Sequence, residues 1–200
     1  MRRLWSLAKA GVVGLTLLVT GVAATAAPAA PADKQAGLEQ WRQIESVLSS
    51  PRCLNCHGRS DYPRQGDDRH VHNFLVQRGV DGHGVGASKC AMCHHDLNSD
   101  ASGVPGATGW RLAPLKMAWE NKPGERMSSR DLCRLLTDPA RNGNRKAADL
   151  IDHHASEPLV LWAWSPGVRR DGSARQPPPI SHAAFVQATQ EWAKAGTPCP

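Results

Sequence analysis

The 200-residue sequence predicts a mainly α-helical single domain with long irregular loops, and three observations carry that expectation. Apolar residues recur every three or four positions over 33–48, 128–137, 146–155 and 181–196. Between these segments lie many of the 18 glycines and 15 prolines, which favour turns over regular elements. Two pentapeptides, Cys53-Leu54-Asn55-Cys56-His57 and Cys90-Ala91-Met92-Cys93-His94, share the pattern C-x-x-C-H.

That spacing has a chemical reason. Two thiols separated by two residues can form thioethers to the two vinyl groups of one porphyrin, and the histidine that follows puts an imidazole on the iron. Two boxes imply two haem c groups, attached through Cys53, Cys56, Cys90 and Cys93, with His57 and His94 as proximal iron ligands. The expected fold is therefore cytochrome c-like. Its prosthetic groups would supply apolar interior to a chain with 40% hydrophobic and only 5% aromatic residues.

Residues 1–26 read as an export signal: basic Arg2, Arg3 and Lys9, an apolar stretch from Ala10 to Val22, and Ala24-Thr25-Ala26 as a cleavage site. No charge falls between Ala10 and Ala32, so an uncleaved membrane anchor is the alternative. Either way the rest of the chain lies outside the cytoplasm, and the expected location is periplasmic. Residues 27–32 form an Ala/Pro linker, and 33–200 the dihaem domain.

The first helix is expected from Asp33, with Leu38, Trp41, Ile44, Val47 and Leu48 on one face and Ser49-Ser50-Pro51 ending it just before the first box. From Gly58 to Lys89 the chain is irregular and carries His70, His72 and His83. A further turn region covers 98–109, followed by the apolar stretch Trp110 to Trp119 that contains Pro114 and Met117. Ser128 and Asp131 have capping-box spacing ahead of Leu132, Leu135 and Leu136, and Pro139 lies beyond that helix. A helix over 146–155 puts Ala147, Leu150, Ile151 and His154 on one side and His153 on the neighbouring face. The run 159–164 is too short to assign as helix or strand, and 168–176 is a basic exposed loop. The last helix starts at Ser181, buries Phe185, Ala188 and Trp192, and stops at Gly196.

Four of the six cysteines belong to the boxes. Cys133 and Cys199 remain, an even pair available for a disulfide in an oxidising compartment. A zinc site built from the two C-x-x-C pairs is disfavoured by the 33 residues between Cys56 and Cys90 and by the histidine that follows each pair. A thioredoxin-like motif would occur once, within a βαβ pattern that is absent here.

Six-coordinate irons need two more ligands, from His70, His72, His83, His95, Met117, Met127, His153, His154 and His182. Spacing favours His72, Met117 and His153, each on a segment able to fold back over a porphyrin. The net charge of +6 falls to +3 when Arg2, Arg3 and Lys9 are set aside, and haem propionates would lower it further, so nucleic acid is not an expected partner.

The boxes, together with Gln65-Gly66-Asp67-Asp68, His72, Arg78-Gly79, Asp81-Gly82, the 110–119 stretch, Asp138-Pro139-Ala140-Arg141-Asn142-Gly143, 159–164 and the ending Trp192 to Pro200, resemble small exported dihaem cytochromes. Members of that group often carry the label isoquinoline 1-oxidoreductase subunit-like. The resemblance covers most of the mature chain; 121–129 and 168–176 depart from it, being longer or more basic. It implies an electron-transfer protein that takes electrons from a dehydrogenase or a molybdenum hydroxylase, and it supports His72, Met117 and His153 as distal ligands. Nothing in the sequence resembles a molybdopterin site. The expectation is thus an electron carrier rather than an enzyme, with a redox protein as partner and a membrane only if the signal stays attached. The alternatives are a peroxidase-like haem enzyme with one open iron position and a haem-based sensor subunit.

Overall fold

The computed structural model describes residues 31–200. The expected export signal and residues 27–30 of the linker lie outside the described residues. Six α-helices are joined by irregular chain: α1 (Pro31–Leu48), α2 (Pro51–Leu54), α3 (Ser129–Thr137), α4 (Ala147–Ser156), α5 (Pro158–Trp162) and α6 (His182–Lys194). Two antiparallel hairpins are interspersed, β1 (Arg64–Gln65) with β2 (His70–Val71) and β3 (Glu120–Lys122) with β4 (Glu125–Arg126). Helix accounts for 41% and strand for 8%. The helical segments read from the sequence are all present, and the hairpins are additions that no periodicity announces.

The helix ends follow side-chain chemistry. Ser50, Ser128 and Ser181 each accept a main-chain N–H of the first turn of α2, α3 and α6. Helix α1 begins at Pro31, two residues ahead of Asp33, which lies in the first turn instead of capping it. The run 159–164 resolves as helix α5, with Pro158 at its start.

The core forms where α1 meets α6. Trp41 and Trp192 pack with ring centroids 5.4 Å apart, and Ile44, Val47, Leu48, Phe185 and Ala188 complete the contact. Helix α3 closes this core with Leu132, Leu135 and Leu136, while Trp41 Nε1–H donates to Ser129 Oγ at 2.9 Å. Cys133 of α3 is bonded to Cys199, the pairing expected from the cysteine count. The tail beyond α6 crosses α1 closely: a Cβ on Gly37 would lie 2.5 Å from Pro198 Cγ, so any larger residue there would displace the tail.

The stretch from Leu112 to Trp119 runs alongside both boxes. Leu112 N–H bonds the Gly82 carbonyl, Ala113 N–H the Cys56 carbonyl and Trp119 N–H the His57 carbonyl, at 2.9, 3.1 and 2.8 Å. Arg78, buried despite its charge, donates to the carbonyls of Gly58, Ser60 and Ala113 and so ties the exit of the first box to the same stretch. The loop 168–176 is closed on itself by Arg169 N–H to Ser173 O at 2.8 Å. Arg169 and Arg175 point inward, to Asp67 and to the carbonyls of Gly103, Pro166 and Val168, which leaves Arg170 alone of that basic run for solvent.

Candidate haem sites

Both C-x-x-C-H boxes fold into the same turn. In the first, the main-chain N–H groups of Cys56 and His57 bond the Cys53 carbonyl at 3.2 and 3.1 Å. In the second, those of Cys93 and His94 bond the Cys90 carbonyl at 3.2 and 2.8 Å. Such a turn brings the two sulfurs of a box to one side with the imidazole beside them.

The two histidines share a deeper likeness. His57 Nδ1 lies 3.0 Å from the Met117 carbonyl and His94 Nδ1 lies 2.7 Å from the Pro105 carbonyl. A carbonyl oxygen only accepts, so each Nδ1 carries the hydrogen and each Nε2 keeps its lone pair, the tautomer a metal requires. Each ring is also stacked on a tryptophan: His57 on Trp119, with centroids 3.6 Å apart and planes 12° apart, and His94 on Trp110, at 4.5 Å and 5°. Trp110 is braced edge-on by Trp162, whose Nε1–H donates to Asn98 Oδ1 at 3.0 Å. Gly106 makes the second arrangement possible, because a Cβ there would sit 2.2 Å from the Leu97 carbonyl and 2.5 Å from that of His95.

Burial sets the protonation states. It pushes His57 down to about 4, the Met117 bond only partly offsetting it, and it lowers His94 as well. Both imidazoles are therefore neutral at physiological pH. Burial likewise raises the Cys53 thiol to about 12 and the Cys56 thiol to about 11, with the nearby charge of Cys90 the next contribution to the latter. Reactive redox cysteines have depressed values, and burial moves these two in the opposite direction. The boxes are close in space: the adjacent residues Leu112 and Ala113 bond the Gly82 and Cys56 carbonyls, and Cys90 Sγ lies 3.8 Å from the same Gly82 carbonyl.

A cavity of about 420 Å³ opens at the first box, within the range of small-molecule and cofactor sites. Cys53, Cys56 and His57 line one side of it, with Leu48, Leu135, Leu136, Leu150, Val160 and Phe185 as apolar walls. Met117, His153 and His154 also line it. Met117 gives its carbonyl to the back of the His57 ring, and its Sδ lies near Gly143. His153 sits beside Glu157, Nδ1 to Oε2 4.0 Å, and Glu157 in turn meets Arg111 at 3.3 Å.

The second box is more open. His72 lies across from His94 with ring centroids 6.0 Å apart and planes 68° apart. Two imidazoles bound through Nε2 to one metal between them place their centroids at about that separation, roughly 6 Å. His72 is delivered there by the β1–β2 hairpin, whose pairing continues as His72 N–H to Pro63 O at 3.0 Å, and its Nδ1–H is held by the Asn73 carbonyl at 2.7 Å. Around this pair apolar side chains stand in solvent: Phe74 is 89% exposed, Leu75 87%, Leu97 81% and Met92 67%. Exposed apolar groups on this scale ask for a covering surface. A porphyrin bound to Cys90 and Cys93 would be such a surface.

Among the described residues no three His, Cys, Asp or Glu side chains are grouped to hold a bare metal ion. A haem would bring four nitrogens of its own and ask the chain for two axial ligands, and His72 and His94 are candidates with rings 6.0 Å apart.

Several partners of these histidines escaped the sequence reading. The carbonyls of Met117 and Pro105 cannot be recognised from residue type, since every residue has one. Trp110 and Trp119 were visible as flanking tryptophans but not as stacking partners of the box histidines. Among the described residues no helix is long and apolar enough to cross a membrane. Comparisons with protein-family models, with curated proteins and with solved structures find no match to this chain.

Proposed function

We propose that this chain is a dihaem c-type cytochrome of cytochrome c-like fold that carries electrons outside the cytoplasm, taking them from a dehydrogenase or a molybdenum hydroxylase as in the exported cytochromes it resembles. One observation carries the reading. Both boxes present a neutral histidine whose Nδ1–H is tied to a main-chain carbonyl, whose ring is stacked on tryptophan and whose Nε2 is left for a metal.

When bound, each haem supplies a one-electron iron couple. The chain holds and tunes it. Cys53, Cys56, Cys90 and Cys93 fix the two positions, and the carbonyls of Met117 and Pro105 raise the basicity of His57 and His94 while fixing their planes. His72, whose ring lies 6.0 Å from that of His94, would be the second residue holding the haem at that site. At the first site Met117, His153 and His154 all line the cavity; the Met117 main-chain carbonyl already accepts from His57 Nδ1–H, and α4 supplies the two imidazoles from which a sixth ligand would be drawn. The apolar walls keep water from the first site and thereby favour the less charged redox state. The nearness of Cys56 to Cys90 suits electron exchange within one chain.

The test is a redox titration of protein matured in a host that attaches haem c. Two haems per chain, both low-spin and reversible, unaffected by carbon monoxide or peroxide, are expected. A carbon monoxide complex, or peroxide turnover, at one haem would replace the carrier with an enzyme.

A further inference from the structure

Helix α4 brings two adjacent histidines to the first cavity, and they occupy different chemical surroundings. His153 stands at a polar, more exposed end with Glu157, Arg111 and Arg145, and its Nδ1 is 4.0 Å from the nearest carboxylate oxygen, too far for a hydrogen bond. His154 stands at the apolar end. It is 5% exposed, with its ring 4.4 Å from that of Phe185 and Leu150 one helical turn away.

The proton on His154 is fixed by a relay into α6. His154 Nδ1 lies 3.0 Å from Thr189 Oγ1, and that hydroxyl spends its own hydrogen on the Phe185 carbonyl at 2.9 Å. Thr189 Oγ1 can therefore only accept, so Nδ1 holds the hydrogen and Nε2 has the lone pair. The His154 main chain is held as well, its carbonyl accepting from His182 Nε2–H at 2.8 Å. His57, which lines the same cavity, has the same tautomer because its Nδ1 likewise faces an atom that only accepts.

We propose that His154, and not His153, is the sixth ligand of the iron at the first box, with Thr189 as the positioning residue that holds its tautomer. The assignment rests on the first box being a haem attachment site. An iron lies at the porphyrin centre, which belongs in the apolar end with His154. The propionates belong at the rim, where Arg111 and Arg145 flank His153.

Three variants of the full-length, haem-loaded protein test this by visible absorption and electron paramagnetic resonance. In His154→Ala one of the two haems becomes high-spin, and added imidazole returns it to low-spin, which separates ligand loss from misfolding. His153→Gln leaves both haems low-spin. Thr189→Val keeps both low-spin but raises one midpoint potential, because an imidazole that has lost its acceptor donates less to iron. If the His154→Ala variant fails to mature, His154→Met decides, with one haem changing from bis-histidine to methionine-histidine spectra. Two low-spin haems unchanged in His154→Ala, or a high-spin haem in His153→Gln, would overturn the assignment while the dihaem reading stands. A wild-type protein without covalent haem would remove the reading beneath it, and the assignment with it.

Discussion

Glu120 shows how much of this molecule depends on single buried charges. Its carboxylate is fully buried and accepts from Arg59 N–H at 2.9 Å and from the Arg69 guanidinium, and Arg69 also reaches the Leu54 carbonyl at 3.2 Å. The chain that follows the first box is thus fastened to the β3–β4 hairpin, and through Arg69 back to Leu54 within the box. Burial alone would raise the Glu120 carboxyl, but the bonds from Arg59, Arg69 and Gly124 outweigh it and hold the group below its ordinary value of 4.5. A carboxyl depressed in the folded state stabilises the fold fully above the unfolded value and loses that contribution as pH falls through the folded one. Glu120→Gln is expected to cost about 3–5 kcal/mol at neutral pH, the usual cost of leaving a buried cation unpaired. Denaturant titrations of both proteins from pH 7 to pH 3 will show the gap narrowing below pH 4.5. The same scale marks the limit of sequence reading. The box histidines stood out in the sequence because C-x-x-C-H singles them out, whereas their Nδ1 acceptors lie 60 and 11 residues away and are main-chain atoms. His154 resembled a core residue by periodicity, and its burial against Phe185 and its bond to Thr189, 35 residues on, distinguish it from His153.

At the scale of elements, the long helices were legible because each buries one face, and α3 and α6 start on serine caps. The hairpins were not, since strands of two or three residues are too short to show a period of two. Yet the β1–β2 hairpin is what carries His72 to His94, so the element that brings these two rings together went unread while the scaffold was plain. The Cys133–Cys199 bond links α3 to the tail that crosses α1, at a separation of 66 residues. In the chain-entropy account a loop of that length is worth about 4 kcal/mol. Replacing both cysteines with alanine should lower the denaturation free energy by roughly that amount, with both haems still attached, because the boxes and their tryptophans lie outside the loop-closing contact. Equilibrium unfolding followed by tryptophan fluorescence measures it. Haem loss accompanying the change would instead tie the disulfide to the sites.

Across the whole molecule, distant segments meet at Asp67. Its two carboxylate oxygens pair with Arg52, next to Cys53, and with Arg169, in the loop 168–176. Arg52 also lies over the Trp162 ring at 5.8 Å, and Trp162 braces Trp110 beneath His94. The ion pairs therefore connect the first box to the second. Asp67→Asn leaves two neighbouring arginines without their shared anion, and a loss of about 1–3 kcal/mol with release of the 168–176 loop is expected. Faster hydrogen exchange or proteolysis confined to that loop will register it. The loop was read as basic and exposed from composition alone, which could not reveal that Arg169 and Arg175 are occupied within the chain.

The central claim, two porphyrins bound covalently to one chain, is tested most directly by the intact mass of protein exported and matured in a host competent for haem c attachment, after extraction with acidified acetone. The polypeptide plus two haem groups, still coloured after extraction, is the predicted result. A mass equal to the bare polypeptide, or pigment that leaves with the solvent, would contradict it.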